Sequence, residues 1–381
     1  MAIVPPMTTK VTMNENTVNE SVVGPDEFAG GTILPTPNPK KKFSDWFRII
    51  GLVLFVAALY GALNIPLSYY AISPGQATDV EPLVKVEKGP SYPSDGKIFL
   101  TTVSLGQATL FEIFQGWLDP SVDIFEEAAI RPPSVSEDEL TKINLQYMAS
   151  SKETALGVAF EYLGYDAITG EGAEVAKVEK GSPADQKLGS GDVIIEMDGE
   201  SVKDHLQLVK AVKAVTPGDA VQLKVKSGEG EIRAVDIELG TNPDNMTQGF
   251  LGVALSTSNL SFDFPYDVKL ESEDIGGPSA GLAFTLQILD SLTEGDLANG
   301  NKVAITGTIE LDGSVGEVGG IRQKAIAVRD AGADIFLVPF AEVGEITSII
   351  GDKVRVIGVN SIKDAVETLK SLGGEISVPI R

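Results

Sequence analysis

Asp274-Ile275-Gly276-Gly277-Pro278-Ser279-Ala280-Gly281-Leu282-Ala283-Phe284 and Gly319-Gly320-Ile321-Arg322-Gln323-Lys324-Ala325 are the two stretches whose reading decides the C-terminal fold. In the first, two glycines permit a tight backbone path and Pro278 suits the first turn of a helix. Phe284, Ile288, Leu289 and Leu292 then continue an apolar helical pattern. Ser279 is therefore expected at a helix N-terminus, where free backbone N–H groups and the helix dipole favour developing negative charge. Taken alone, the same turn is equally a plain helix cap. In the second stretch, Ile321, Lys324, Ala325 and Val328 share one helical stripe, while Arg322 and Arg329 fall on another face. A lysine on an apolar stripe must snorkel, find an acceptor or lose its proton. Burial lowers a lysine pKa, which a lysine base working near neutral pH requires.

Together these segments resemble the proteolytic domain of Lon proteases. GGPSAG around Ser279 is similar to that family's nucleophile turn, and GGIRQK is similar to its glycine pair and lysine. The intervening VAITGTIELDGSVGEVGG resembles the family's strand and turn, which implies that Thr306 contacts the lysine. The resemblance covers about 250–381, and with it the strand expected near 97–103. It implies Ser279 as nucleophile, Lys324 as general base, and a turn of Gly277, Pro278 and Ala280 around the oxyanion. Position 276 is glycine where many relatives carry an acidic residue; Asp274 is the candidate for a similar supporting role. Neither metal nor cofactor is implied. No G-x-x-x-x-G-K-[ST] run occurs, so nucleotide-driven unfolding has no motif here.

The remaining composition narrows the alternatives. The 381 residues carry a formal net charge of −24, which repels nucleic acid and anionic lipid head groups. There is no cysteine, which removes disulfides and thiolate chemistry, and one histidine, His205, which removes a histidine-rich metal site. His205 falls on a helix that would border a peptide groove, as a surface residue or as a groove contact.

Residues 1–45 lack apolar periodicity and are expected to be a disordered tail. From Ile49 to Ile72 no residue is charged, long enough for a membrane-crossing helix, assigned here to 46–70. Lys40 to Lys42 and Arg48 precede it and no basic residue follows before Lys85. The tail is then cytoplasmic and the remainder is exported from a bacterial cell. A strand at 97–103 and a helix over 136–163 are expected within 73–165. Next, VEKGSPADQKLGSGDVIIEMDGESV resembles a bacterial PDZ domain, placed at 166–242, a module that binds extended peptide ends by strand addition.

The expected fold class is α+β: a single N-terminal transmembrane helix, then a PDZ domain inserted before a Lon-type proteolytic α/β domain at 250–381. The implied activity is ATP-independent serine endopeptidase action on unfolded or flexible exported proteins at the membrane surface. A homo-oligomer is left open. Two rival readings are a catalytically silent PDZ/Lon-like scaffold and a signal-peptidase-like enzyme; the latter's Ser-Met turn after the anchor is missing.

Overall fold

The computed structural model describes residues 40–228, 230–243, 245–272 and 275–377. The tail expected at 1–45 lies outside them except for 40–45, which begin the first helix. The chain divides between Leu59 and Tyr60 into two units.

Helix α1 (Lys40–Leu63) includes an 18-residue window, Trp46–Leu63, long and apolar enough to cross a membrane. It stops short of the expected residue 70. Pro66 has no N–H to continue a helix, and from there the chain runs as the strand Pro66–Asp79. Tyr70 and Ala71 are buried in that strand, pairing with Gln107 and Gly106.

That strand belongs to a six-stranded sheet. Its order is Arg355–Val359, Ile335–Pro339, Lys302–Ile305, Lys97–Thr109, Pro66–Asp79, Asp123–Glu126. The first four run parallel, with Lys302 opposite Lys97 and Ile305 opposite Leu100. Parallel strands covered on both faces read as continuous apolar runs, and every residue of Ile335–Pro339 is buried. The strand expected at 97–103 thus runs to Thr109 and lies in the middle of the sheet that contains Lys302–Ile305.

Helices α2 (Leu110–Leu118), α3 (Glu127–Ile130) and α4 (Glu137–Tyr162) follow. Ser136 and Glu139 form a capping box that starts α4 where the sequence places it. Its C-terminal half buries Ala155, Leu156, Val158 and Phe160 in the main core, beside Phe284 and Leu286.

A second six-stranded sheet has its own core, built on Val175, Ile194, Leu208, Leu223 and Ile237. Its main order is Ile232–Glu238, Ala220–Lys226, Val193–Met197, Ala173–Val178, Val253–Thr257, and α5 (His205–Ala214) packs on it. The sheet continues past the expected end at 242, because Val253–Thr257 pairs with Ala173–Val178 from 80 residues earlier (Thr257 opposite Ala173). Beyond it, Ser261–Phe262 pairs with Ile168–Thr169, and Asp267–Leu270 pairs with Val84–Lys88. The chain therefore enters and leaves this sheet along paired antiparallel segments.

Candidate active site

The serine turn is held from several sides. Helix α6 (Gly281–Leu292) is buried along its whole length. It begins after the turn, so Pro278 stands three residues before it rather than in its first turn. Gly277 adopts φ +85°, a left-handed conformation that glycine tolerates. Its N–H donates to Asn144 O at 2.8 Å, and Ser151 Oγ donates to Pro278 O at 3.0 Å, both from α4. On the other side, Gly307 N–H donates to Ser279 O at 3.1 Å and Leu282 N–H donates to Gly307 O at 3.2 Å. Ser279 itself is half-buried.

These bonds select among the donors expected for an oxyanion. Gly277 is excluded, because Asn144 takes its N–H, and Pro278 has none to give. Among the described residues, the N–H groups of Ser279 and Ala280 have no partner, and they precede α6. Asp274 lies outside the described residues.

Helix α7 (Ile321–Ala331) starts from Gly320 in the left-handed region and ends at Gly332 in the same conformation. The stripe expected from the sequence is buried: Ile321, Lys324, Ala325 and Val328 all face inward, with Lys324 only 2% exposed. Its Nζ donates to Thr306 Oγ1 at 3.1 Å. Thr306 Oγ1 in turn donates to Ser279 O at 3.4 Å, a long contact. One threonine thus touches both the lysine amine and the serine backbone. Burial pulls the Lys324 pKa down from 10.5 to about 8, against a smaller opposing pull from the Glu342 carboxylate. At that value a useful fraction of the amine is neutral near physiological pH.

Glu342 was not visible in the sequence as a site residue. Its Oε1 accepts from Val318 N–H at 2.9 Å, while its buried Oε2 has no partner among the described residues. Burial raises its pKa above the usual carboxylate value. Because its charge favours the protonated lysine, Glu342→Gln is expected to lower the Lys324 pKa below about 8. The rising limb of a kcat/KM pH profile should therefore move to lower pH. A limb that stays in place or moves to higher pH would show that the two groups are not coupled. Asn144 and Ser151 were also missed: the bond from Ser151 to Pro278 spans 127 residues, and no spacing rule in sequence joins such positions.

His205, the first residue of α5, shares a hydrogen bond at 2.8 Å between Nδ1 and Thr257 Oγ1. It ties its helix to the strand Val253–Thr257.

Residues 154–239 match the family model of the PDZ domain, and residues 273–371 match that of the Lon protease (S16) C-terminal proteolytic domain. The chain thus carries one segment similar to a PDZ domain and, after it, one similar to the proteolytic domain of Lon proteases. A Lon protease of Desulfatibacillum aliphaticivorans is 26% identical over 153 residues, 39% of this chain and 17% of the relative. A Lon protease of Clostridioides difficile (strain 630) is 26% identical over 188 residues, 49% of this chain and 22% of the relative. The chain thus spans about a fifth of the length of these relatives. Among solved structures, the PDZ domain of an SdrC-like protein from Listeria innocua is 30% identical. That match covers 22% of this chain and 92% of the other, with a TM-score of 0.21.

Proposed function

We propose that this chain is a serine endopeptidase using Ser279 as nucleophile and Lys324 as general base, without ATP. The observation that carries the reading is a buried lysine amine 3.1 Å from Thr306, whose hydroxyl reaches the Ser279 carbonyl. Neutral Lys324 takes the proton from Ser279 Oγ, and Oγ bonds to the scissile carbonyl carbon. The carbonyl electron pair moves onto oxygen, held by the N–H groups of Ser279 and Ala280; each such donor is worth roughly 3–4 kcal/mol in comparable sites. Collapse breaks the C–N bond, and Lys324 returns its proton to the leaving amine. Water, deprotonated by the same lysine, then releases the acyl group. Thr306 orients the lysine, and Asp274 is kept as a second supporting residue.

Helix α1 is proposed to cross the bacterial cell membrane once, with the N-terminus cytoplasmic and the catalytic domain outside. No residue of this chain forms a P-loop. Its substrates are then flexible or damaged exported proteins near the membrane, and the PDZ domain, inserted in the chain between parts of the protease, binds their exposed ends.

A membrane-impermeant, serine-directed acylating probe tests both points in one experiment. Wild-type chain in spheroplasts should be labelled, Ser279→Ala should not, and purified wild type should cut casein without nucleotide. Labelling that persists in Ser279→Ala removes the nucleophile assignment. Labelling that appears only after lysis removes the proposed orientation. A wild type that neither labels nor cleaves leaves the scaffold reading.

A further inference from the structure

We propose that α2 lies on the bilayer surface, its outward face seated at the boundary between lipid head groups and acyl chains; this rests on the reading of α1 as a membrane span.

Helix α2 is apolar on both faces. Inward, Ile113 packs with Ala71, Ala108 and Val122, and a Cβ on Gly116 would stand 2.8 Å from Ile124 Cγ1, so the helix sits close on its neighbours. Outward, Leu110, Phe111, Phe114, Trp117 and Leu118 are between 46% and 79% exposed. A helix on a water-facing surface carries polar residues on its outer side; one that is apolar all round is covered. The only charged side chain of α2 is Glu112. It folds back onto the helix start, where its Oε2 accepts from Thr109 N–H at 2.8 Å and from Thr109 Oγ1 at 3.1 Å.

The sheet register indicates what covers it. Thr109, the N-cap of α2, pairs with Pro66, three residues after α1 ends at Leu63. The helix therefore starts beside the point where the chain leaves its apolar span. From Ile49 to Thr78 and from Ile98 to Phe111 no residue is charged, although Lys, Arg, Asp and Glu make up 22% of the chain. The two strands that meet at Pro66 and Thr109 thus bring no charge of their own to lipid there; the nearest sheet charge is Glu126 of the neighbouring edge strand, opposite Tyr69. Aromatic and leucine side chains on such a helix bury about 5–10 Å into the interfacial region. The attraction is apolar, because the chain is strongly acidic and α2 has no basic residue.

The test uses the full chain with Trp46→Phe, which leaves Trp117 as the sole tryptophan. Reconstituted in phosphatidylcholine vesicles, its emission should be blue-shifted and shielded from aqueous acrylamide. Phosphatidylcholine brominated near the top of its acyl chains should remove most of the intensity. Added phosphatidylglycerol or salt should change neither result. Phe114→Glu with Leu118→Glu should abolish the bromolipid quenching. If the protein floats with the vesicles but Trp117 responds only to acrylamide, α2 faces water and the inference fails with the span intact. If the protein does not float, the span reading fails and takes the inference with it. Shielding from both quenchers that is lost on diluting the chains would mean that a second copy covers the helix, which also overturns the proposal.

Discussion

Lys324→Met should reduce peptidase activity by about 10²–10⁴-fold, the range of a positioned base, while making the protein more stable at neutral pH. The opposite signs follow from the same burial. Lys324 is 2% exposed and its pKa falls from 10.5 to about 8. Each pKa unit is worth about 1.36 kcal/mol, so the folded state is disfavoured by about 3 kcal/mol relative to an ordinary lysine. The unfolded chain holds its proton up to about pH 10.5 and the folded chain gives it up near 8. The cost is therefore full below about pH 8, shrinks as pH rises, and is gone above about 10.5. Methionine has a similar length and no charge, so it removes the cost and keeps the packing. Urea unfolding at pH 7 should show the gain, and the gain should vanish near pH 10.5. Lys324→Arg should lose activity too but be less stable, since its charge cannot be released. Activity of Lys324→Met within a few fold of wild type would remove the lysine from the mechanism. A drop in its stability would mean that the buried amine is charged and well partnered.

The second large effect is expected at Gly281, two residues after Ser279, the proposed nucleophile. A Cβ there would stand 2.7 Å from Ile309 Cγ2, 2.8 Å from Ser151 Oγ and 3.1 Å from the Ile309 backbone nitrogen. The last neighbour is backbone and cannot swing aside, so α6 itself must shift. Overpacking of this kind costs about 1–3 kcal/mol. The functional loss should be larger than that implies, because Ser151 also holds the Pro278 carbonyl and fixes the turn. A displacement near 1 Å at a reacting group costs about 10²-fold in rate. Gly281→Ala should therefore lower kcat on a short peptide about 10²-fold, at a temperature where the variant is folded by circular dichroism. A folded variant with a kcat within a factor of three of wild type would show that the turn tolerates the shift.

The burial of Lys324 and its contact with Thr306 were legible because their information is local. Gly-Gly-Pro-Ser-Ala-Gly and the buried stripe of α7 each specify their own geometry, and Thr306 precedes Lys324 by only 18 residues. Glu342, Asn144 and Ser151 were not legible, since each reaches the site from another element through a contact that only the folded chain makes. The end of α1 was misplaced for a different reason. Residues 64–72 are uncharged whether they form helix or strand, and only their pairing with 105–109 and 123–126 decides it. The end of the second sheet was missed likewise. Val253–Thr257 has no signal tying it to Ala173–Val178, yet the two strands are neighbours.

The paired segments on either side of that second sheet make it separable. Thr169 lies opposite Ser261, and Ala173 lies opposite Thr257, so the 91 intervening residues begin and end side by side. An antiparallel pair can be closed by a two-residue reverse turn. Joining Thr169 to Ser261 through Asn-Gly would convert the stem into an ordinary hairpin without disturbing Val84–Lys88 or Asp267–Leu270. The same geometry lightens the chain's own assembly. Once residues 173–257 have collapsed on their separate core, the strands Lys97–Thr109 and Lys302–Ile305 are joined by a much shorter effective loop, and closing it costs less conformational entropy. A different module whose termini lie equally close could be mounted on the same stem, so the PDZ-like segment can be exchanged while the Lon-like segment is kept.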